Sequence, residues 1–326
     1  MGTRIQTSTS VYKVAGNLSL TIDVHAPEGY NAESGTALIH FHGGYLVIGE
    51  KTTFPPNWLI NACHRRGWAY ATPSYRLMPE ANCLEILQDA VDATNWIRDN
   101  FSRSNRLIVA GSSAGGYLAL ATAAHPKSPP VTAVLPIYGM LDPAGPRYVK
   151  PGQPLASPVD NLESVVEQIY AVREKGPAID GYAFPKDIAT DTRYIWIKAL
   201  HEAAIYPDVL TDIRGLAQQI NERGADAIPE EFRQLFPASF GLHRDFPPTA
   251  LLHGDSDVAV DVELSRDVAK KLENLSVKVL LEIVKGRGHG FDVIEAPVDI
   301  DIITDSTGEL NGSLSRVFKF LEEAAG

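Results

Sequence analysis

Leu107-Ile108-Val109-Ala110-Gly111-Ser112-Ser113-Ala114-Gly115-Gly116-Tyr117 is the stretch on which the fold of this chain turns. An apolar run leads into Gly111 and a helix-like run, Tyr117 to Ala124, leads out, so the segment reads as strand, sharp turn, helix. In a G-x-S-x-G arrangement the glycines allow a tight turn without a clashing Cβ, and the central serine is pushed out at the top of a sheet. Ser113 is therefore a candidate nucleophile. Five residues alone are a weak pattern; the flanking strand and helix give this one its weight.

Working outward, the covered runs multiply. Ala37 to Phe41, Ala69 to Tyr75, Leu107 to Ala110, Val131 to Ile137, Thr249 to His253 and Val277 to Val284 are apolar with little alternation, as strands buried on both faces should be. Leu18, Leu20, Ile22 and Val24 alternate with Ser19, Thr21 and Asp23, which predicts an early antiparallel strand with one wet face. Between the runs lie helical patterns, Trp58 to Arg66 stopped by Gly67 and Leu84 to Ile97 with Leu84, Leu87 and Val91 on one face. The alternation predicts an α/β fold with a mostly parallel central sheet covered by helices on both faces.

That rhythm breaks between about Leu141 and Asp245. A compact fold does not hold a structureless loop of this length, and Leu162, Val165, Val166, Ile169 and Val172 recur at helical spacing, with Ile195, Ala199 and Ile205 less regular. Pro143 to Pro146 and Asp245 to Pro248 punctuate the borders. The expected organisation is a core domain of residues 1–140 and 246–326 with an inserted helical lid, 141–245, over the carboxyl ends of the strands.

Composition narrows the function classes. The 326 residues suffice for a large core, and the formal charge of −11 opposes binding to nucleic acid or an anionic membrane. The polar first ten residues hold no apolar signal core, and no stretch of about eighteen apolar residues is present, so the chain reads as cytoplasmic. Cys63 and Cys83 fall in or beside separate helices with no ligand spacing and read as buried, inert thiols. No phosphate-binding glycine pattern and no metal-ligand cluster is visible, so no cofactor and no metal are expected.

His42-Gly43-Gly44-Tyr45 after one strand, Tyr75-Arg76-Leu77-Met78-Pro79-Glu80 after the next, Gly111 to Gly115, His253-Gly254-Asp255-Ser256-Asp257 and Gly288-His289-Gly290-Phe291 follow in that order. Together they resemble the α/β-hydrolase superfamily, in its hormone-sensitive-lipase-like esterase branch. The resemblance runs from Leu38 to the C-terminal helix at Leu314 to Ala324, the lid excepted. It implies an α/β-hydrolase fold and acyl transfer to water.

A serine hydroxyl needs a base, and His289, in a glycine-rich loop after the last strand, is the candidate; His42 and His253 compete for the role. An acid must hold the imidazole's other N–H, and Asp257, in the loop after Thr249 to His253, fits. Asp255 and Asp292 are its rivals; the resemblance favours Asp257, because the family's acid stands four residues beyond the histidine of the H-G pair. The remaining histidines, His25, His40, His64, His125, His201 and His243, look like strand, surface or lid residues. For the oxyanion, the amide after the nucleophile, Ala114, sits at a helix N-terminus. By the family pattern Gly44 and Tyr45 supply further donors.

Two departures stand out. Tyr45 replaces a third glycine, which leaves its ring free to line the pocket, and Ser112 replaces the acidic residue common before the nucleophile. Tyr75, Arg76, Glu80 and Asp89 read as structural, with Arg76 offering its fork of donors to a carboxylate beneath the site. The implied activity is a serine hydrolase cleaving carboxylic esters of small or medium organic acids through an acyl-enzyme on Ser113. Amidase, lactonase or acyltransferase use of the same triad, and a non-catalytic ligand receptor, are the alternatives. The lid aromatics Tyr170, Tyr182, Phe184, Tyr194, Trp196, Phe232, Phe236 and Phe240 are compatible with a substrate pocket or with lid core. The expected partner is a small-molecule ester, lactone or amide; a homodimer through an edge strand or terminal helix is compatible with the pattern, though one sequence shows no interface.

Overall fold

The computed structural model describes residues 4–296, 299–301 and 308–326. Eight strands among them form one sheet: β1 (Ile5–Ala15), β2 (Leu18–Pro27), β3 (Ala37–Phe41), β4 (Ala69–Pro73), β5 (Leu107–Ser112), β6 (Ala133–Ile137), β7 (Thr249–Gly254) and β8 (Val279–Val284). Their spatial order is β1-β2-β4-β3-β5-β6-β7-β8. β1 and β2 pair antiparallel with each other, β2 pairs antiparallel with β4, and every pairing from β4 to β8 is parallel. β3 to β7 are buried along their whole length, and β2 alternates buried with half-buried. This is the mostly parallel sheet the apolar runs predict, covered on both faces except at β8, which is read as doubly buried but is mostly half-buried because it forms the edge of the sheet. β1, which the sequence reading does not anticipate, is almost entirely exposed or half-buried and so carries no apolar period.

Crossover helices bury both faces. α1 (Asn57–Arg65) and α12 (Gly308–Ala325) pack on one, with Trp58, Leu314, Val317 and Phe318 against Leu38, Ile108 and Leu135. α2 (Cys83–Phe101), α3 (Ala114–Ala124) and α10 (Glu263–Asn274) cover the other. α2 starts where its sequence demands: the Asn82 side chain accepts from the Glu85 amide, and the Glu85 carboxylate accepts from the Asn82 amide. Cys63 and Cys83 are free and buried, in α1 and α2, and burial pushes the Cys83 thiol up to about 12.

Residues 141–245 contain α4 (Pro146–Val149), α5 (Leu162–Lys175), α6 (Thr192–Glu202), α7 (Tyr206–Thr211), α8 (Leu216–Arg223) and α9 (Pro237–Phe240), with two short 3₁₀ turns. The segment is bound to the core by Arg193 of α6. Its guanidinium donates to both carboxylate oxygens of Glu80, at 2.8 and 2.7 Å, and to the carbonyls of Val47 and Met78 at 2.9 and 3.0 Å. Burial raises the Glu80 carboxyl and lowers Arg193, so the pair needs all four bonds to offset its desolvation. Arg76 forks onto Asp89 as its chemistry suggests, at 2.7 and 2.9 Å, and also holds Glu85.

The tightest backbone packing lies where β5 enters α3. A Cβ on Gly115 would stand 2.0 Å from the Phe41 carbonyl oxygen and 2.6 Å from that of His42. Both are backbone atoms at the end of β3, so they cannot swing aside as a side chain would. Gly115→Ala is expected to lower unfolding free energy by at least about 2 kcal/mol, read from the urea midpoint, because the contact can be relieved only by parting two paired strands. An unchanged midpoint would show that this approach is not constrained.

Candidate active site

The four loops of interest leave the carboxyl ends of β3, β5, β7 and β8, all on one side of the sheet, where open α/β folds form their clefts. Ser113 follows β5 directly. Its φ of 57° and ψ of −117° lie outside the ordinary regions for an L-residue. The strained turn is pinned on both sides: the Ser113 amide donates to the Ile137 carbonyl at 2.8 Å, and its own carbonyl accepts from the amides of Gly116 and Met140. The side chain reaches a cavity of about 580 Å³.

β8 stands three strand spacings from β5, about 14 Å, so a residue following β8 must reach back over the strand ends to meet Ser113. The loop at Gly286 to Gly290 does so, and His289 lines the same cavity as Ser113. Behind it, Asp257 is fully buried, with Oδ2 2.7 Å from His289 Nδ1. Asp257 Oδ1 accepts from the amides of Ala259 and Val260 at 2.8 and 3.0 Å. Burial alone would raise this carboxyl, but hydrogen bonds from His253 and His289 and the backbone amides outweigh it and hold Asp257 well below the usual range. An ionised carboxylate only accepts, so His289 Nδ1 carries the proton and Nε2 is left as the basic nitrogen.

His253 stands on the far side of Asp257. Its Nε2 lies 3.1 Å from the Val260 carbonyl and 3.3 Å from Asp257 Oδ2, both acceptors, so that nitrogen is the donor. Nδ1 then accepts from the Ser265 hydroxyl at 2.8 Å. Asp255 turns away, accepting from the Gly286 amide at 2.6 Å. Asp292 sits behind the cavity wall, where it accepts from Tyr138 at 2.6 Å and Trp58 at 2.9 Å, and burial raises its carboxyl. Neither touches His289 through a hydrogen bond among the described residues.

The bend at Gly43 to Tyr45 forms the opposite wall. Gly44 has φ +113°, and a Cβ there would meet the Ile48 carbonyl oxygen at 2.1 Å, so only glycine fits. Tyr45 keeps a left-handed φ of 57° although it is not glycine. Its hydroxyl donates to the Ala259 carbonyl at 3.1 Å, its ring meets His201 edge-on at 4.9 Å, and its carbonyl accepts from the Tyr206 hydroxyl. Tyr45 thus spans from the β3 loop to the loop that holds Asp257. The amides of Gly44, Tyr45 and Ala114 donate to no protein acceptor among the described residues. Ala114 is buried at the first position of α3 and is not itself part of the wall.

The rest of the wall was less legible. His40, read as an ordinary strand or surface residue, is buried on it, with Nε2 2.9 Å from Ser112 Oγ. Tyr138 lies 4.6 Å from the His289 ring, and Arg147 and Leu155 also contribute. Of the eight lid aromatics, Phe184 and Tyr194 line the cavity. Phe54, Phe184, Val258 and Ile294 are apolar, exposed and on the wall, which gives the mouth a greasy rim. His42 is not on the wall: it stacks on Tyr75 at 4.2 Å and holds the Gly43 carbonyl at 2.8 Å. Among the described residues no cluster of three or more His, Cys, Asp or Glu could hold a metal, and no helix is long and apolar enough to cross a membrane.

Comparison with known proteins agrees with this architecture. Residues 38–191 match the family model described as alpha/beta hydrolase fold, and the chain has that fold. The solved structure titled Thermogutta terrifontis esterase 2 phosphonylated by sarin superposes with a TM-score of 0.61 at 17% identity, covering 99% of this chain and 95% of that one. Among curated proteins, the non-reducing polyketide synthase ausA of Emericella nidulans is 25% identical over 328 residues, covering 89% of this chain but 13% of that protein. Esterase LipC of Mycobacterium tuberculosis is 24% identical over 281 residues, covering 84% of this chain and 57% of its own length. The chain thus spans less than two thirds of the length of these two curated relatives.

Burial pushes His40 down to about 3, and His42 and His201 each to about 4, from an ordinary 6.5. The unfolded chain therefore binds protons at these rings before the native state does. Their contribution is complete above about pH 6.5 and is lost as pH falls toward 4, by up to about 1.4 kcal/mol per pH unit for each ring. Urea midpoints measured at pH 7 and pH 5 are expected to show a marked loss of stability at the lower value; equal midpoints would contradict buried neutral imidazoles.

Proposed function

We propose that this chain is a carboxylic ester hydrolase working through an acyl-enzyme on Ser113. The observation that carries the reading is a serine on a strained turn sharing one cavity with a histidine whose other nitrogen is held by an ionised, buried aspartate. Ser113 Oγ attacks the ester carbonyl while His289 Nε2 takes its proton, then returns it to the departing alcohol. Asp257 keeps His289 in the correct tautomer and stabilises the imidazolium without becoming protonated. The amides of Gly44, Tyr45 and Ala114 are free to receive the oxyanion, and a water activated by His289 releases the acid.

The segment 141–245 serves as a lid that completes the pocket, since Arg147, Leu155, Phe184 and Tyr194 belong to it. A cavity of about 580 Å³ suits an ester of a small or medium acid. A second reading, acyl release from a thioester, is favoured by the relatives named as polyketide synthases, which match about nine-tenths of this chain. A thioester carbonyl is open to the same attack by the same residues. Matched oxygen-ester, thioester, lactone and amide substrates separate these uses.

With p-nitrophenyl esters of short acids, Ser113→Ala is expected to lower kcat/KM by several orders of magnitude while circular dichroism and unfolding midpoint stay native. A loss of less than about tenfold, about 1.4 kcal/mol of barrier, would rule out Ser113 as nucleophile.

A further inference from the structure

The wall that surrounds the proposed nucleophile contains one formally charged side chain. Arg147, in α4, lines the cavity, and no Asp or Glu among the described residues does so with it. The side chain is half-buried and forms no ion pair and no hydrogen bond among the described residues. Three other well-covered guanidinium groups are matched by carboxylates, Arg76 by Asp89 and Glu85, Arg193 by Glu80 and Arg66 by Asp301 and Glu322, while Arg233, also half-buried without an ion pair among the described residues, lies over the Phe240 ring instead of a cavity. Acidic residues outnumber basic ones by 40 to 29, so a cation without a counter-ion is not a matter of scarcity.

No carboxylate pairs with Arg147 among the described residues, although Asp257 and Asp142 act on some of the same neighbours. The Arg147 charge acts on Tyr45, Tyr148 and His201, which places it beside the bend that carries the proposed oxyanion donors. These neighbours are uncharged: the tyrosines are phenols, and burial keeps the His201 ring neutral. A partly desolvated guanidinium facing an apolar, uncharged cavity gains most from a planar anion, which it can grip with two parallel N–H donors.

We propose that Arg147 is a specificity residue that selects esters carrying a carboxylate or comparable anionic group away from the scissile carbonyl, such as a half-ester of a dicarboxylic acid. This rests on the esterase reading for its chemistry. The anion belongs either to the acyl part or to the alcohol part, and in both cases Arg147 supplies the same charge-assisted contact.

The test uses matched pairs: monophenyl glutarate against phenyl valerate for the acyl side, and 3-acetoxybenzoate against 3-tolyl acetate for the alcohol side. The kcat/KM ratio of the anionic over the neutral ester is expected to fall at least about tenfold in Arg147→Gln in one of the two pairs, and to be partly kept in Arg147→Lys. The neutral ester of each pair reports whether the variant is folded and competent. Ratios that stay within about twofold of the native value in both pairs would overturn the proposal. Should none of the four esters be cleaved, the esterase reading fails by itself. The anion site is then judged by calorimetric binding of monophenyl glutarate to Ser113→Ala and to the Ser113→Ala, Arg147→Gln double variant. Affinity at least about tenfold weaker in the double variant supports it, and equal affinity overturns it.

Discussion

The arrangement depends on one steric constraint: two backbones approach so closely at the end of β3 and the start of α3 that no side chain fits between them. Gly115 lies against the carbonyls of Phe41 and His42, and a Cβ on Gly43 would stand 3.1 Å from the Ser113 Cβ. This is possible because β3 and β5 are neighbours in register, with Phe41 opposite Gly111. The bend after β3 is thereby pressed onto the turn after β5. Amides from one loop can then lie beside a hydroxyl from the other without any side chain bridging them.

The electrostatic half of the site obeys a different rule, because a buried carboxylate must be satisfied many times over to stay ionised. Asp257 accepts from two backbone amides, lies 2.7 Å from His289 Nδ1 and receives His253 besides. The cost of burying the charge is met before any substrate arrives. His253 is in turn fixed by Ser265 and Val260, and the loops after β7 and β8 are joined directly, through the Ser256 amide on the Arg287 carbonyl. A side chain that must reach Ser113 from a loop whose strand lies three spacings away needs such ties, since each unrestrained bond between them would widen its range of positions.

Much of this was legible in the chain and the reason is periodicity. Strands covered on both faces must be apolar throughout, so β3 to β7 announce themselves, and glycines with no room for a Cβ mark the turns between them. β1 was invisible because its residues are exposed or half-buried without an apolar alternation, and its side-chain ties to the rest of the chain, such as Thr9 to Asp23 and Lys13 to Asp89, are polar. The order Ser113, Asp257, His289 could be read from motifs, and the structure brings Asp257 to His289 and both Ser113 and His289 to one cavity. His40, Tyr138 and Arg147 carried no such mark. They reach the wall through tertiary packing of β3, β6 and α4, and a lone histidine, tyrosine or arginine beside an apolar run looks the same whether it faces a cavity or a neighbour. The signal nearest to hand was Ser112: a small hydroxyl in place of an acid before the nucleophile leaves room and a partner for His40.

The helical segment between β6 and β7 is tied to the walls of the cavity at several points. Arg193 clamps Glu80 while accepting carbonyls fill its remaining donors, one of them Val47, just beyond the Gly43 to Tyr45 bend. Tyr206 holds the Tyr45 carbonyl from the same segment. Removing one partner from a buried pair of this kind costs about 3–5 kcal/mol, since the other charge is left unmatched. The stretches around Pro154 to Ala156 and around Phe184 also line the cavity, outside these helices. Support of the Gly43 to Tyr45 bend and lining of the cavity mouth thus fall to different parts of the one helical segment.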